Sequence, residues 1–251
     1  MAADTSDQRG ADAALVPRGQ SRPLWLALSA VVRAHRGAGL LRILDCGGGS
    51  GSLAVPLAGL GTEVTVVDVS IDALGTLLRR AAEAGVSDRV TAVQGEAESL
   101  TELMPKAAFD LVLAHEVLDK VSSVGPALAQ VAAVLRPGGV TSIVVGNPVA
   151  GVLGRALAGD VAGALAAFRR PDHEVLDLAA LEAHCLAAGL AVESVEGIGV
   201  FTELVPGIDL ERPGALIALT ELEAATAALA PYRDIASRLH VMARRATVPT
   251  G

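Results

Sequence analysis

Five short apolar runs recur along the first three-fifths of the chain, at Leu41–Asp45, Val64–Val69, Val90–Gln94, Phe109–Ala114 and Val140–Val145, and a helix-like segment separates each from the next. Continuous rather than alternating apolarity is the mark of a strand covered on both faces. Strands that alternate with helices close into a parallel sheet through right-handed crossovers. A leading helix precedes the first run, with Leu24, Leu26, Leu28, Val31 and Val32 at helical spacing before the break at His35–Gly39. Ser52 is placed to cap the helix after the first strand, with Pro56 at its fourth position, and Ser70 to cap the next, with Asp72 in its first turn. Arg136-Pro-Gly-Gly marks the end of the helix before the fifth strand.

After Asn147 the rhythm changes. The stretch at about 148–177 reads as an alanine-rich helical insertion, Leu178–Ala188 as the next helix, and Ala191–Val195 and Leu239–Ala243 as sixth and seventh strands. A second insertion spans about 200–236, where Leu216, Leu219, Leu222 and Leu229 are expected on one helical face. The expected architecture is α/β: a Rossmann-like, seven-stranded, mostly parallel sheet with helices on both faces and helical insertions after strands five and six. Residues 1–20 are small and polar and read as a disordered tail, which leaves residues 21–251 for a single domain.

Composition narrows the possible partners. A net charge of −8 opposes a polyanion over the surface as a whole. Two cysteines, Cys46 and Cys185, stand in unrelated contexts, and no Cys/His cluster suggests a metal, so none is expected. No apolar stretch approaches the roughly 18 residues of a membrane span, and the N-terminus lacks a signal-peptide pattern. The expectation is a cytoplasmic protein, monomer or homodimer, with no membrane partner.

The chemistry concentrates at the end of the first strand, where Gly47, Gly48, Gly49 and Gly51 follow Asp45 within six positions. Glycines there allow a tight turn whose backbone a ligand can touch, with a helix N-terminus behind it. Asp68, which closes the second strand beside Val69, can accept both hydroxyls of a ribose. The pair points to a nucleoside ligand. A dinucleotide fingerprint would require glycine where Ser52 stands. The single tyrosine, Tyr232, has Ala236 rather than lysine four residues on, and neither lysine, Lys106 nor Lys120, lies near the loop as a Walker motif needs.

The pattern Asp45-x-Gly-x-Gly-x-Gly followed by Asp68 resembles the S-adenosylmethionine loop of class I methyltransferases. VQGEAESL (Val93–Leu100), FDLVLAHEVLDKV (Phe109–Val121) and VLRPGGV (Val134–Val140) resemble that class's later motifs in the same order. GQSRPLW (Gly19–Trp25), the NP-x-AGVLGRALAGD segment, IGVFTELVPG (Ile198–Gly207) and LHVMARR (Leu239–Arg245) further resemble the tRNA carboxymethoxyuridine methyltransferase family and its uncharacterised bacterial relatives. The resemblance implies S-adenosyl-L-methionine as donor and S-adenosyl-L-homocysteine as product. It implies Gly47, Gly48 and Gly49 under the methionine moiety, Asp68 on the ribose, Glu96 or the Ala97 backbone at the adenine edge, His115 near the sulfonium, and Arg22 on the cofactor carboxylate.

The acceptor is a small molecule or a modified tRNA nucleotide. A carboxylate acceptor calls for a cationic clamp, with Arg155, Arg169 and Arg170 as candidates, whereas a hydroxyl or amine would give its proton to His115, Glu116 or His173. The alternative from another class is a non-catalytic S-adenosylmethionine-binding sensor or scaffold.

Overall fold

The computed structural model describes residues 16–17, 21–35, 39–170, 176–205 and 212–247. The expected N-terminal tail lies outside these except for Val16 and Pro17, and His173 lies outside them altogether. Val16 packs against the core.

Helix α1 (Arg22–Ala34) opens on Ser21, whose hydroxyl accepts the Leu24 N–H, with Pro23 in the first turn where its missing N–H costs no bond. It buries Leu24, Trp25, Leu28 and Val32. The chain then alternates: β1 (Arg42–Cys46), α2 (Ala54–Gly59), β2 (Glu63–Asp68), α3 (Ile71–Glu83), β3 (Val90–Gln94), the short α4 (Leu100–Leu103), β4 (Phe109–His115), α5 (Val124–Val134) and β5 (Leu135–Gly146). The insertion after β5 forms two helices, α6 (Pro148–Leu157) and α7 (Val161–Phe168). The chain continues through α8 (Leu178–Ala187), β6 (Leu190–Ile198), α9 (Ala215–Thr226) and β7 (Arg238–Arg245).

The strands lie in the order β3-β2-β1-β4-β5-β7-β6. The first five are parallel, and β7 runs antiparallel between β5 and β6. Helices cover both faces. One apolar cluster joins α1, α2 and α3 to Ile43, Leu111, Leu113, Val140, Val144, Ile198 and Met242. The other joins α5 and α8 to Leu44, Cys46, Val112, Ile143, Val145 and Val241. Because side chains alternate across a strand, neighbours such as Ile43 and Leu44 serve opposite layers. That is why these strands read as continuous apolar runs.

Local signals mostly hold, with corrections at three points. Ser70 caps α3 by accepting the Ala73 N–H at 3.2 Å, as its position suggests. Ser52 is not the cap residue of α2: the helix begins one residue later, and its cap position is Leu53, whose side chain makes no cap bond. Pro56 is accordingly its third residue. Arg136-Pro-Gly-Gly belongs to β5, which takes over directly at Leu135, and the β4–β5 register shifts between Phe109 and Leu111 where these residues enter the sheet. In α9 only Leu219 of the four expected leucines is buried, and Leu229 lies beyond the helix end, so that face is not a core-facing stripe.

Both insertions are tied to the sheet at their roots. Asn147 caps α6 through Oδ1 to the Val149 N–H, while its Nδ2 donates to the carbonyls of Asp234 and Ala236 just before β7. Glu223 of α9 accepts the backbone N–H groups of Val200, Phe201 and Thr202 and the Thr202 hydroxyl, which fixes the turn after β6.

Candidate functional site

The turn after β1 takes its shape from three glycines in the left-handed region, Gly47 (φ 68°), Gly49 (φ 53°) and Gly51 (φ 77°). Two causes combine here. A Cβ on Gly47 would stand 2.5 Å from Val117 Cγ2, and one on Gly51 would fall inside contact distance of Leu77 Cδ1. These glycines thus let the turn press against the protein's own β4 loop and α3. A Cβ on Gly48 would meet the carboxylate of Asp45 beneath it, whereas one on Gly49 would have nothing nearer than Asp68 Oδ2 at 3.7 Å. The turn is held from outside as well. Asp68 accepts the Gly49 N–H through Oδ2 and the Ser70 N–H through Oδ1, each at 2.9 Å, and Arg80 of α3 donates to the Ser50 carbonyl at 3.0 Å.

A cavity of about 280 Å³ opens beside this turn at the carboxyl ends of β1 and β4, where ligands of open α/β sheets bind. Its walls are the glycine backbone at Gly47 and Gly48, Asp45, Ser52 and Leu53, then His115 at the end of β4 and Glu116 just after it, and Ser21 and Leu24 of the α1 start. Val144, Ile198 and Arg238 close the far side. Of the residues singled out from sequence, Asp45, Gly47, Gly48, His115 and Glu116 meet here. Asp68, Val69, Glu96 and Ala97 lie along the neighbouring ends of β2 and β3, outside the cavity wall, with Asp68 paired to Gln94 in the sheet. Arg22 stands at the start of α1, and its Nε is buried without a hydrogen-bond partner. Arg155, Arg169 and Arg170 are not in the wall, and Arg155 faces Asp160 at 3.6 Å.

Burial governs the charges. Desolvation, joined by repulsion from Asp68, raises the Asp45 carboxyl to about 7. His115 goes the other way. Burial, then the nearby His240, lowers its imidazole to about 3, so at neutral pH it is uncharged and a weak base. Its Nε2 lies 2.8 Å from the Ser142 hydroxyl, which lies 2.9 Å from His240 Nε2, and His240 Nδ1 lies 3.9 Å from Glu196 Oε2. These four residues come from β4, β5, β7 and β6 in turn.

Sequence reasoning missed Arg238, Ser142, Glu196 and His240. Arg238 donates from Nη1 to Glu116 Oε1 at 2.7 Å and lines the cavity. The neighbourhood depends on the β5–β7 and β6–β7 pairings, which no spacing rule announces. The one available signal was a polar residue at alternate positions of an otherwise apolar strand.

Residues 43–139 match the family model described as a methyltransferase domain. Over 236 residues the chain is 29% identical to the tRNA 5-carboxymethoxyuridine methyltransferase of Escherichia coli strain K12, across 91% of this chain and 89% of that one. A ubiquinone biosynthesis O-methyltransferase of Bradyrhizobium sp. strain ORS 278 is 37% identical over 99 residues, which span 39% of this chain and 37% of that one. Among solved structures, an S-adenosylmethionine dependent methyltransferase from Mesorhizobium loti superposes with a TM-score of 0.57 at 21% identity, covering 88% of this chain and 97% of that one. The [4+2]-cyclase SpnF superposes with a TM-score of 0.58 at 20% identity, covering 93% and 86%. These last two speak for the fold alone.

The sheet order, the glycine turn at its switch point and the matched domain define the class: the chain is a class I S-adenosylmethionine-dependent methyltransferase. Within that class, the tRNA 5-carboxymethoxyuridine methyltransferase is a relative whose likeness runs nearly end to end in both chains.

Proposed function

We propose that the methyl group is transferred to a carboxylate of the acceptor, and that Arg238 receives that carboxylate in the cavity. The observation that carries this reading is the Arg238 guanidinium in the cavity wall with only Nη1 engaged by Glu116. The rest of the planar fork suits a second carboxylate. The bases on hand favour the same acceptor. His115 is too weakly basic to draw a proton from a hydroxyl or amine efficiently, and Glu116 is committed to Arg238. A carboxylate is already ionised and needs no base. The near-full-length relative carries a carboxymethoxy group in the name of its nucleotide, and 5-carboxymethoxyuridine in tRNA is the acceptor we take from it.

The residues present fit the donor. Arg22 Nε, buried and unpartnered, suits its carboxylate, and Asp45, once ionised as pH rises through about 7, suits its cationic groups. In this reading Gly47, Gly48 and Gly49 offer it their backbone while Gly51 keeps the turn closed against α3, and Asp68, Val69, Glu96 and Ala97, along the ends of β2 and β3, would take the nucleoside. When bound, S-adenosylmethionine supplies an electrophilic methyl on a good leaving group. The protein's task is to align the acceptor carboxylate, exclude water and keep His115 uncharged beside the sulfonium.

Methyl-labelled S-adenosylmethionine, offered with tRNA bearing 5-carboxymethoxyuridine, with the same tRNA lacking it and with small carboxylic acids, tests this directly. The reading expects label in the first substrate alone, released as methanol by mild alkali as an ester requires. Label that survives alkali, or that enters the unmodified tRNA equally, would place the methyl on a different group. Label in the small acids alone would retain the carboxylate and reject the tRNA.

A further inference from the structure

The polar row His115–Ser142–His240–Glu196 crosses four adjacent strands on the face covered by α1. His115, Val144, His240 and Glu196 are successive register partners, and Ser142 lies two residues from Val144 on the same side. The surroundings are apolar: Leu113, Val144, Ile198 and Met242 share this layer with Leu24 and Leu28. Ser142 is fully buried and His240 is 1% exposed. A buried polar row in an aliphatic layer is costly unless every member is satisfied, and the way it is satisfied is restricted.

The Ser142 hydroxyl has one proton and touches two ring nitrogens, so it donates to one histidine and must accept from the other. With both rings neutral, two arrangements exist. If the hydroxyl donates to His115, His240 must donate from Nε2, and a neutral His240 then turns its Nδ1 lone pair toward the Glu196 carboxylate. If the hydroxyl donates to His240, His240 carries its proton on Nδ1, aimed at Glu196 Oε2, an oxygen that is otherwise buried without a partner. The second arrangement turns an N–H toward that carboxylate across 3.9 Å, outside hydrogen-bond reach but electrostatically favourable, and removes the repulsion. His115 is then left protonated on Nε2, with the lone pair on Nδ1. Other charges nearby do not reverse the choice: Arg238, two residues before His240, is engaged by Glu116.

We infer that Glu196, His240 and Ser142 are positioning residues that lock His115 of the cavity wall as its Nε2–H tautomer, offering a neutral lone pair on Nδ1 to a cationic ligand. This rests on the reading above that places the donor beside His115. A lone pair of fixed orientation favours a sulfonium over the uncharged thioether that remains after transfer, so the row would help to distinguish substrate from product at a distance from the sulfur itself.

Two measurements test it. Long-range proton–nitrogen correlation of the histidine rings in the unliganded protein should show His115 protonated on Nε2, and Glu196→Gln or Ser142→Ala should convert it to a tautomer mixture. Calorimetry with S-adenosylmethionine and S-adenosylhomocysteine should show each substitution weakening the first by roughly three- to tenfold while leaving the second within about twofold. A wild-type His115 protonated on Nδ1 overturns the lock. Equal weakening of both ligands overturns the role toward the sulfonium and reduces the row to a packing element. Failure of the wild type to bind either ligand counts against the donor placement instead, and the ring spectra still judge the lock.

Discussion

Arg238, the first residue of β7, holds Glu116, the residue after β4, through a 2.7 Å bond across the cavity wall. Glu116 adopts φ 54°, a left-handed conformation uncommon for a side chain with a Cβ, and its N–H is fixed by the Val144 carbonyl at 2.8 Å. Strain of this kind persists where surrounding structure over-determines it, and it gathers at functional sites. The pair thus shapes the place where the acceptor is expected.

Arg238→Ala should lower kcat/KM for the carboxylate acceptor by roughly 10- to 150-fold, the loss of a charge-assisted contact worth about 1.5–3 kcal/mol. Donor affinity in calorimetry should stay within about twofold. A parallel loss of donor binding would assign Arg238 to the cofactor instead.

Asp45 gives the clearest pH signature. Its folded value near 7 exceeds the ordinary 3.8, so the native state holds a proton that the unfolded chain has released. Stability from this group is full below about pH 4 and is lost as pH rises through 7. Asp45→Asn should therefore melt above the wild type at pH 8, with the gap closing toward pH 4. Donor affinity should run the other way in the wild type, tightening as Asp45 ionises through pH 7, and should be flat in the variant. Thermal melts and calorimetry between pH 5 and 8 check both halves.

Asp68→Ala removes the acceptor of the Gly49 and Ser70 N–H groups as well as the expected ribose contact. Donor binding should weaken by roughly tenfold or more, and the protein should lose about 1–2 kcal/mol of stability in urea unfolding. Unchanged affinity with lowered stability would show that the carboxylate serves only the turn.

The glycines should separate by position. Gly51→Ala drives a methyl into the fully buried Leu77 and strains the backbone, and should cost about 2–4 kcal/mol. Gly49→Ala meets only an ordinary contact with Asp68 Oδ2 at 3.7 Å and should cost about 1 kcal/mol from its φ, yet it should weaken the donor more than its stability loss accounts for. Paired melting and binding curves for the two variants decide the point.

The sequence made the parallel half of this molecule legible, and for a stated reason. Doubly covered strands are continuous apolar runs, and the residues that end them, Asp45, Asp68 and His115, must lie along one edge. That logic fails where chain direction reverses. Ser142 and His240 are 98 positions apart and become neighbours only through the antiparallel β5–β7 ladder. Arg155, Arg169 and Arg170 drew attention because they fall in an insertion that could cover the site, but Arg238 reaches the cavity from the sheet itself. The α9 leucines misled because periodicity records a possible face and not the presence of anything to cover it.

The reversal of β7 has a further consequence. The five parallel strands end on the edge of the sheet where the cavity opens, while β7 begins there. Arg244 is paired with Val140 near the opposite edge. Ala246 and Thr247 therefore sit at the rim remote from ligand entry, beside Gly189 and Gly138, so a fluorophore attached at Thr247 leaves the approach of a large acceptor unobstructed.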